Sequence, residues 1–200
     1  MSRNATVLLL GDSVFDSRPY LRGMPDMAAR LDGLLANGSA RLGAVSGSRL
    51  ADLDRQLRAL PPETTHLVVS VGGNDLLDLG RGLTGGSVGM MERLGRAGEL
   101  MTSFRRRYAE ACAHVAAKGL RSAMCTIYEP PIGDPVLKQI GTVVVGLVNS
   151  AIEAEARDHG LGVIDLRSIC RVREDFFDMI HPSAHGADKI ARALAHWVEE

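Results

Sequence analysis

Three short stretches carry residue types that could do chemistry together. Gly11-Asp12-Ser13 ends an apolar run, Gly72-Gly73-Asn74-Asp75 ends another, and Asp178-Met179-Ile180-His181 lies near the end of the chain. A serine hydroxyl becomes a nucleophile only with a base in reach, a group that orients the base, and donors for the oxyanion. Asp178 and His181 are three residues apart, so one turn can present both side chains to one point. The carboxylate would hold one imidazole nitrogen, and the other nitrogen would take the proton from Ser13. Asp175 is a rival orienter, but six residues before the histidine it needs a less direct path, so Asp178 is preferred. Oxyanion donors are available from the backbone N–H after the first turn, the unobstructed N–H of Gly47 and the Asn74 amide. Loss of one such donor typically costs about 10²–10³ in rate.

Elements that could hold these residues in place follow from the pattern. Short apolar runs at Thr6–Leu10, Arg41–Val45, His66–Val71, Arg121–Ile127 and Gly162–Asp165 read as strands. Helical patterns lie near Pro25–Ala36, Arg49–Leu60, Met90–Lys118, Val136–His159 and Ser183–Val198. Gly119 and Gly160 follow two helix ends, and Ser183 can cap the last helix. Strand and helix alternate, and the strands are nearly all apolar, which implies a parallel sheet covered on both faces. The expected fold is α/β: a single domain over residues 1–200, a three-layer α/β/α sandwich around a central five-stranded parallel sheet in the flavodoxin-like order 2-1-3-4-5. Ligands of such sheets bind outside the carboxyl ends of the strands. Here the strands hand over to Gly11-Asp12-Ser13, Ser46-Gly47-Ser48, Gly72-Gly73-Asn74-Asp75 and Tyr128-Glu129-Pro130-Pro131.

At this point the chain resembles the SGNH (GDSL) hydrolase family. Its four blocks match Gly11-Asp12-Ser13, Gly47, Gly72-Gly73-Asn74-Asp75 and Asp178-Met179-Ile180-His181-Pro182, in order across residues 11–182. The resemblance implies that Ser13 is the nucleophile, that Asp178 and His181 complete a triad, and that Ser13, Gly47 and Asn74 form the oxyanion hole. It further implies hydrolysis of carboxylic esters or thioesters through an acyl-enzyme, with no cofactor and no metal, on a small-molecule ester substrate. An acyltransferase using the same triad, and a non-catalytic ligand-binding module on the same fold, are the alternatives.

Other features bound the reading. Gly85-Gly86-Ser87-Val88-Gly89 matches G-x-S-x-G, but that motif needs a strand directly before its serine, and a glycine-rich stretch precedes it here. Gly80–Gly89 reads instead as a flexible connection or a lid. Asp178, His181 and His185 could form a metal cluster, but Pro182 breaks the register that would align them. Asp12 and Asp75 are read as hydrogen-bonding their own turns, and Arg105-Arg106-Arg107 as a solvated helix face. Asp16 and Arg18 are left between touching substrate and covering the first helix. The apolar faces of Val136–Ile152 suit core packing, an acyl groove or a subunit interface, so a homo-oligomer stays open. A formal net charge of −1 gives no basis for a nucleic-acid partner. Lys138, Gln139 and Asn149 interrupt the most apolar stretch, so no stable membrane insertion is expected. Three scattered cysteines, Cys112, Cys125 and Cys170, and the lack of a signal-peptide pattern lead to the expectation of reduced thiols in a cytoplasmic protein.

Overall fold

In β1 (Ala5–Gly11), Val7 and Leu9 point to one side of the sheet, while Leu8 and Leu10 point to the other. All four are buried, because a strand in the middle of a parallel sheet has no wet face. The computed structural model describes residues 4–84 and 89–200. β1 pairs in parallel with β2 (Gly38–Leu42) and β3 (His66–Ser70), β3 with β4 (Arg121–Cys125), and β4 with β5 (Gly162–Ile164). The order is β2-β1-β3-β4-β5, the flavodoxin-like order expected for the fold.

Helices cover both faces. On one lie α1 (Met27–Asp32), α6 (Leu166–Ile169) and α7 (Ala184–Glu199), burying Met27, Leu31, Leu166, Ile190 and Leu194 against Val7 and Leu9. On the other lie α2 (Leu53–Arg58), α4 (Met90–Ala116) and α5 (Pro135–Asp158), burying Leu53, Phe104, Tyr108, Val148 and Ile152 against Leu8 and Leu10. Each such side chain contributes roughly 1.5–3 kcal/mol when fully buried. Helix ends follow local chemistry: the Asp26, Asp134 and Ser183 side chains accept first-turn N–H bonds at α1, α5 and α7.

The structure moves three expectations. The second strand runs Gly38–Leu42 rather than Arg41–Val45, because both Gly43 N–H and Ala44 N–H bond to the Leu9 carbonyl and break the ladder there. The polar N-terminal half of this edge strand carries little apolar signal to read. A seventh helix, α3 (Gly73–Thr84), begins inside the Gly72–Asp75 block and runs through Gly80 and Gly82, so the first half of the expected Gly80–Gly89 connection is helical. Ser87 and the rest of that connection lie outside the described residues, apart from Gly89. Finally, α5 is long and apolar enough to cross a membrane by length and composition, despite its polar interruptions. Its inner face nonetheless packs into the core through Val148, Ile152 and Ala156, while Val136, Ile140, Val143 and Leu147 are exposed in a row on the outside.

Candidate active site

The turn after β1 can be made only by glycine. Gly11 has φ +117°, and a Cβ there would stand 1.8 Å from the Ser70 carbonyl oxygen. The tight exit lets Asp12 N–H reach that same carbonyl at 3.0 Å. The Asp12 carboxyl then accepts the Val14 N–H at 3.1 Å and closes the turn, as expected for its own-turn role. Phe15 anchors the loop in the core. Between these fixed points Ser13 sits on the wall of a cavity of about 100 Å³, with Asn74 beside it. The rest of the lining is mostly apolar and includes Leu76, Ile127, Val145, Met179 and Ile180.

The loop carrying Gly47 is braced from both sides. Ser46 N–H donates to Asp16 Oδ2 at 3.0 Å, and the Asn74 side-chain amide donates to the Ser48 carbonyl at 2.9 Å. Asp16 thus braces the Ser46 loop, and it also pairs with the exposed Arg18 at 3.0 Å. Gly47 itself is exposed, with φ +83°, and no atom would meet a Cβ on it within 4 Å. It is not part of the cavity wall that holds Ser13 and Asn74. Among the described residues neither the Ser13 N–H nor the Gly47 N–H bonds to a protein acceptor, and the Asn74 amide has one hydrogen to spare.

The candidate base and its candidate orienter meet as their spacing implies. Asp178 Oδ2 lies 2.7 Å from His181 Nδ1, and Asp178 Oδ1 accepts the N–H groups of Ile180 and His181, both at 2.8 Å. One carboxylate thus fixes both the turn and the ring. Burial would raise the Asp178 carboxyl, but these hydrogen bonds, led by the imidazole, outweigh it and hold it below the usual carboxylate range. The imidazole also stacks on Tyr20, with ring centroids 3.6 Å apart and planes 16° from parallel. Among the described residues no hydrogen bond joins His181 to Ser13.

Asp175 is not a rival orienter. It is fully buried, accepts N–H bonds from Arg171 and Val172, and holds Lys189 Nζ at 2.8 Å. His185 Nε2 lies 3.6 Å from the same carboxylate, so Asp178, His181 and His185 do not converge on one point. Two further readings widen or change. Asp75 holds its own turn through its own backbone N–H and also reaches beyond it: its carboxylate accepts the Leu50 N–H at 3.0 Å and pairs with Arg107 at 2.9 Å, tying the Gly47 loop and α4 to the Asn74 turn. Arg107 is therefore a partner of a buried carboxylate, not a member of a solvated face, and Arg105 pairs with Glu155 at 2.9 Å.

Two bracing residues carry no sequence signal at all. Buried Gln56 accepts the Gly11 N–H at 2.7 Å, donates to the Gly11 carbonyl at 2.9 Å and to Ser48 Oγ at 3.1 Å, joining the first two loops. Tyr20 supplies the stacking face for His181. Their partners lie 45 and 161 residues away. Electrostatically the site is tense. Burial pushes the Asp12 carboxyl up to about 7, with the charge of Asp75 adding to the effect, and burial likewise raises Asp75. The three cysteines are buried free thiols, Cys112 in the core on one face of the sheet and Cys125 and Cys170 in the core on the other, and burial pushes Cys112 and Cys170 up to about 12.

Comparison with known proteins gives the same outline. The model of the GDSL-like lipase/acylhydrolase family matches residues 9–189. No curated protein sequence matches the chain significantly. Among solved structures, the chain is similar to an extracellular lipase from Streptomyces rimosus, at 16% identity with a TM-score of 0.72, covering 96% of this chain and 99% of that one. It is similar to phospholipase A1 from Streptomyces albidoflavus, at 19% identity and TM-score 0.71 over the same 96% and 99%. A variant of an acetyl-xylooligosaccharide esterase from a Geobacillus species gives 15% identity and TM-score 0.68 over 100% and 97%. At these identities the likeness is one of fold.

Proposed function

This chain belongs to the GDSL-like lipase/acylhydrolase family, and on that premise we propose that it is a serine hydrolase of carboxylic esters or thioesters that works through an acyl-enzyme. Ser13 Oγ attacks the ester carbonyl carbon, and its proton passes to His181 Nε2. Asp178 holds the other ring nitrogen and stabilises the imidazolium. The carbonyl oxygen, now an oxyanion, takes hydrogen bonds from the Ser13 N–H, the Gly47 N–H and the Asn74 amide. The tetrahedral adduct expels the alcohol or thiol, which leaves with the proton from His181. Water, deprotonated by His181, then attacks the acyl-enzyme and regenerates Ser13.

The observation that carries this reading is the 2.7 Å bond between Asp178 and His181 Nδ1, in a turn whose Met179 and Ile180 line the same cavity as Ser13 and Asn74. With Nδ1 committed to the carboxylate, Nε2 is left as the acceptor. The Ser13–His181 bond closes when substrate fills the cavity, as catalytic hydrogen bonds commonly tighten only in the Michaelis complex. An apolar cavity of about 100 Å³ suits a short acyl chain. The test is hydrolysis of p-nitrophenyl acetate and butyrate by wild type and Ser13→Ala. Loss of turnover in the variant, with unchanged circular dichroism, supports the assignment, and retained turnover removes Ser13 as nucleophile.

A further inference from the structure

Exposed apolar side chains crowd the outer face of α5. Val136, Leu137, Ile140, Val143 and Leu147 are each 55–66% exposed. Together they leave open on the order of 450 Å² of apolar surface, as much as the largest patch on a typical monomer, and such patches are often functional. Val136, Ile140, Val143 and Leu147 follow one another at steps of four, three and four residues, and the alternation continues through Ser150 and Ala154. That spacing keeps one narrow seam in line along a helix, the pattern by which one helix packs on another. From Val136 to Ala154 the seam runs about 27 Å at the helical rise. It points away from the core, which α5 meets through Val148, Ile152 and Ala156.

The seam tapers, with large side chains towards its amino end and Ser150 and Ala154 towards its carboxyl end. We propose that it is the interface of a homodimer in which α5 packs antiparallel on α5 of a second copy. A two-fold axis at the level of Val145 sets Val136 against Ala154, Ile140 against Ser150 and Val143 against Leu147 of that copy, so large fills small along the whole seam. A parallel pair would crowd one end and leave a gap at the other. Gly146, beside the seam, has open space where a Cβ would stand, so the two backbones can approach at the axis. On the seam's polar flank Gln139 meets Glu153, whose charge is held by Arg167 of its own chain, and no like charges oppose each other. Two such patches with their rims bury about 1,000–1,200 Å², the size of a specific but weak pair. A lipid surface is the poorer match, because helices that lie on one carry Lys and Arg on the polar face and Trp or Phe on the other. α5 has no aromatic residue, and it sets Lys138 and Arg157 against Glu153, Glu155 and Asp158. On the inner side of α5, at the level of the axis, Val145 lines the Ser13 cavity, so the interface backs one wall of the site.

Sedimentation equilibrium of the full chain over a range from about 1 to 300 µM tests the pair. The mass is expected to rise from 21.4 kDa towards twice that value, with a Kd on the order of 10 µM. Val143→Glu, at the centre of the seam, raises that Kd about tenfold or more. Leu34→Glu, which adds the same charge after α1, leaves it unchanged. Register is read by cross-linking under mild oxidation, where the three native thiols do not compete because they are buried. Gly146→Cys, beside the axis, links to its own copy, and Val136→Cys does not. Linking of Val136→Cys and not of Gly146→Cys shows a parallel pair and overturns the antiparallel one. A mass of 21.4 kDa at every concentration overturns the dimer, as does a Val143→Glu chain that associates like wild type. A monomeric chain that co-sediments with phosphatidylcholine–phosphatidylglycerol vesicles, and loses them on Val143→Glu, overturns the dimer in favour of a lipid surface.

Discussion

Asp12 should make this fold lose stability as pH rises, and Asp12→Asn should abolish that loss. The carboxyl is 3% exposed, and burial pushes it from 3.8 up to about 7, against the pull of the Val14 N–H. In the unfolded chain the same group titrates near its ordinary value. Between those two values the folded state holds a proton that the unfolded state has released, so stability falls with rising pH, by about 1.4 kcal/mol per unit for one full proton. Below the unfolded value both states are protonated and the term vanishes, and above about 7 both are ionised and the penalty is constant. From pH 5 to pH 8 the window spans about two units, or about 3 kcal/mol. Asparagine keeps a carbonyl to accept the Val14 N–H but has no proton to lose. Urea melts followed through Trp197 fluorescence at half-unit steps should show Asp12→Asn gaining about 3 kcal/mol relative to wild type between pH 5 and pH 8. A difference that stays flat over that range, or that changes sign, refutes the buried, unpaired carboxyl.

Three further substitutions test the bracing of the site. Asn74→Ala should lower kcat about 10²-fold or more with a smaller change in KM, because its spare hydrogen acts on the oxyanion; a pure KM effect removes it from that role. Gln56→Leu should destabilise the fold by about 1–3 kcal/mol in denaturant melts. The cost comes from the orphaned Gly11 N–H and the lost bond to buried Ser48 Oγ, since the Gly11 carbonyl keeps its bond from Val45; an unchanged midpoint would show that these bonds contribute nothing. Tyr20→Ala should lower kcat several-fold by freeing the His181 ring, with Tyr20→Phe restoring most of the rate because the stacking face is kept; equal rates in all three proteins would leave Tyr20 no positioning role.

Much of the architecture can be read from the chain because it depends on local pattern. β1 shows four consecutive apolar residues, and a strand that must be buried on both faces leaves that signature. β2 escapes because it is an edge strand whose first half, Gly38-Ser39-Ala40, is small and half-buried, so its pairing with Ala5, Thr6 and Val7 is a tertiary fact. α3 escapes because Gly80 and Gly82 argue for a loop by propensity, and the element forms regardless. In the site, Asp178 and His181 can be read together since a three-residue spacing decides their contact within one turn. No spacing rule could bring Asp75 to Leu50 or Arg107, which lie 25 and 32 residues away and meet only once β3, α2 and α4 are packed.

That division has a physical cause. Groups that react with a substrate must be polar and must stand at the carboxyl ends of strands, where turn chemistry makes them visible. Groups that hold them need only a complementary partner, wherever the sheet order delivers one. Gln56 is an ordinary helix residue until β1 and the Ser48 loop close on either side of it. In the proposed mechanism Asn74 belongs to both kinds, since one amide hydrogen braces Ser48 and the other would serve the oxyanion. Its substitution therefore removes a donor and loosens the loop that offers the Gly47 N–H, and the two losses are not additive. Combining Asn74→Ala with Gln56→Leu separates them. If Asn74 acts mainly as a brace, the second change adds little to the rate loss of the first, because the Gly47 loop is already released. If it acts mainly as a donor, the two losses in log kcat add.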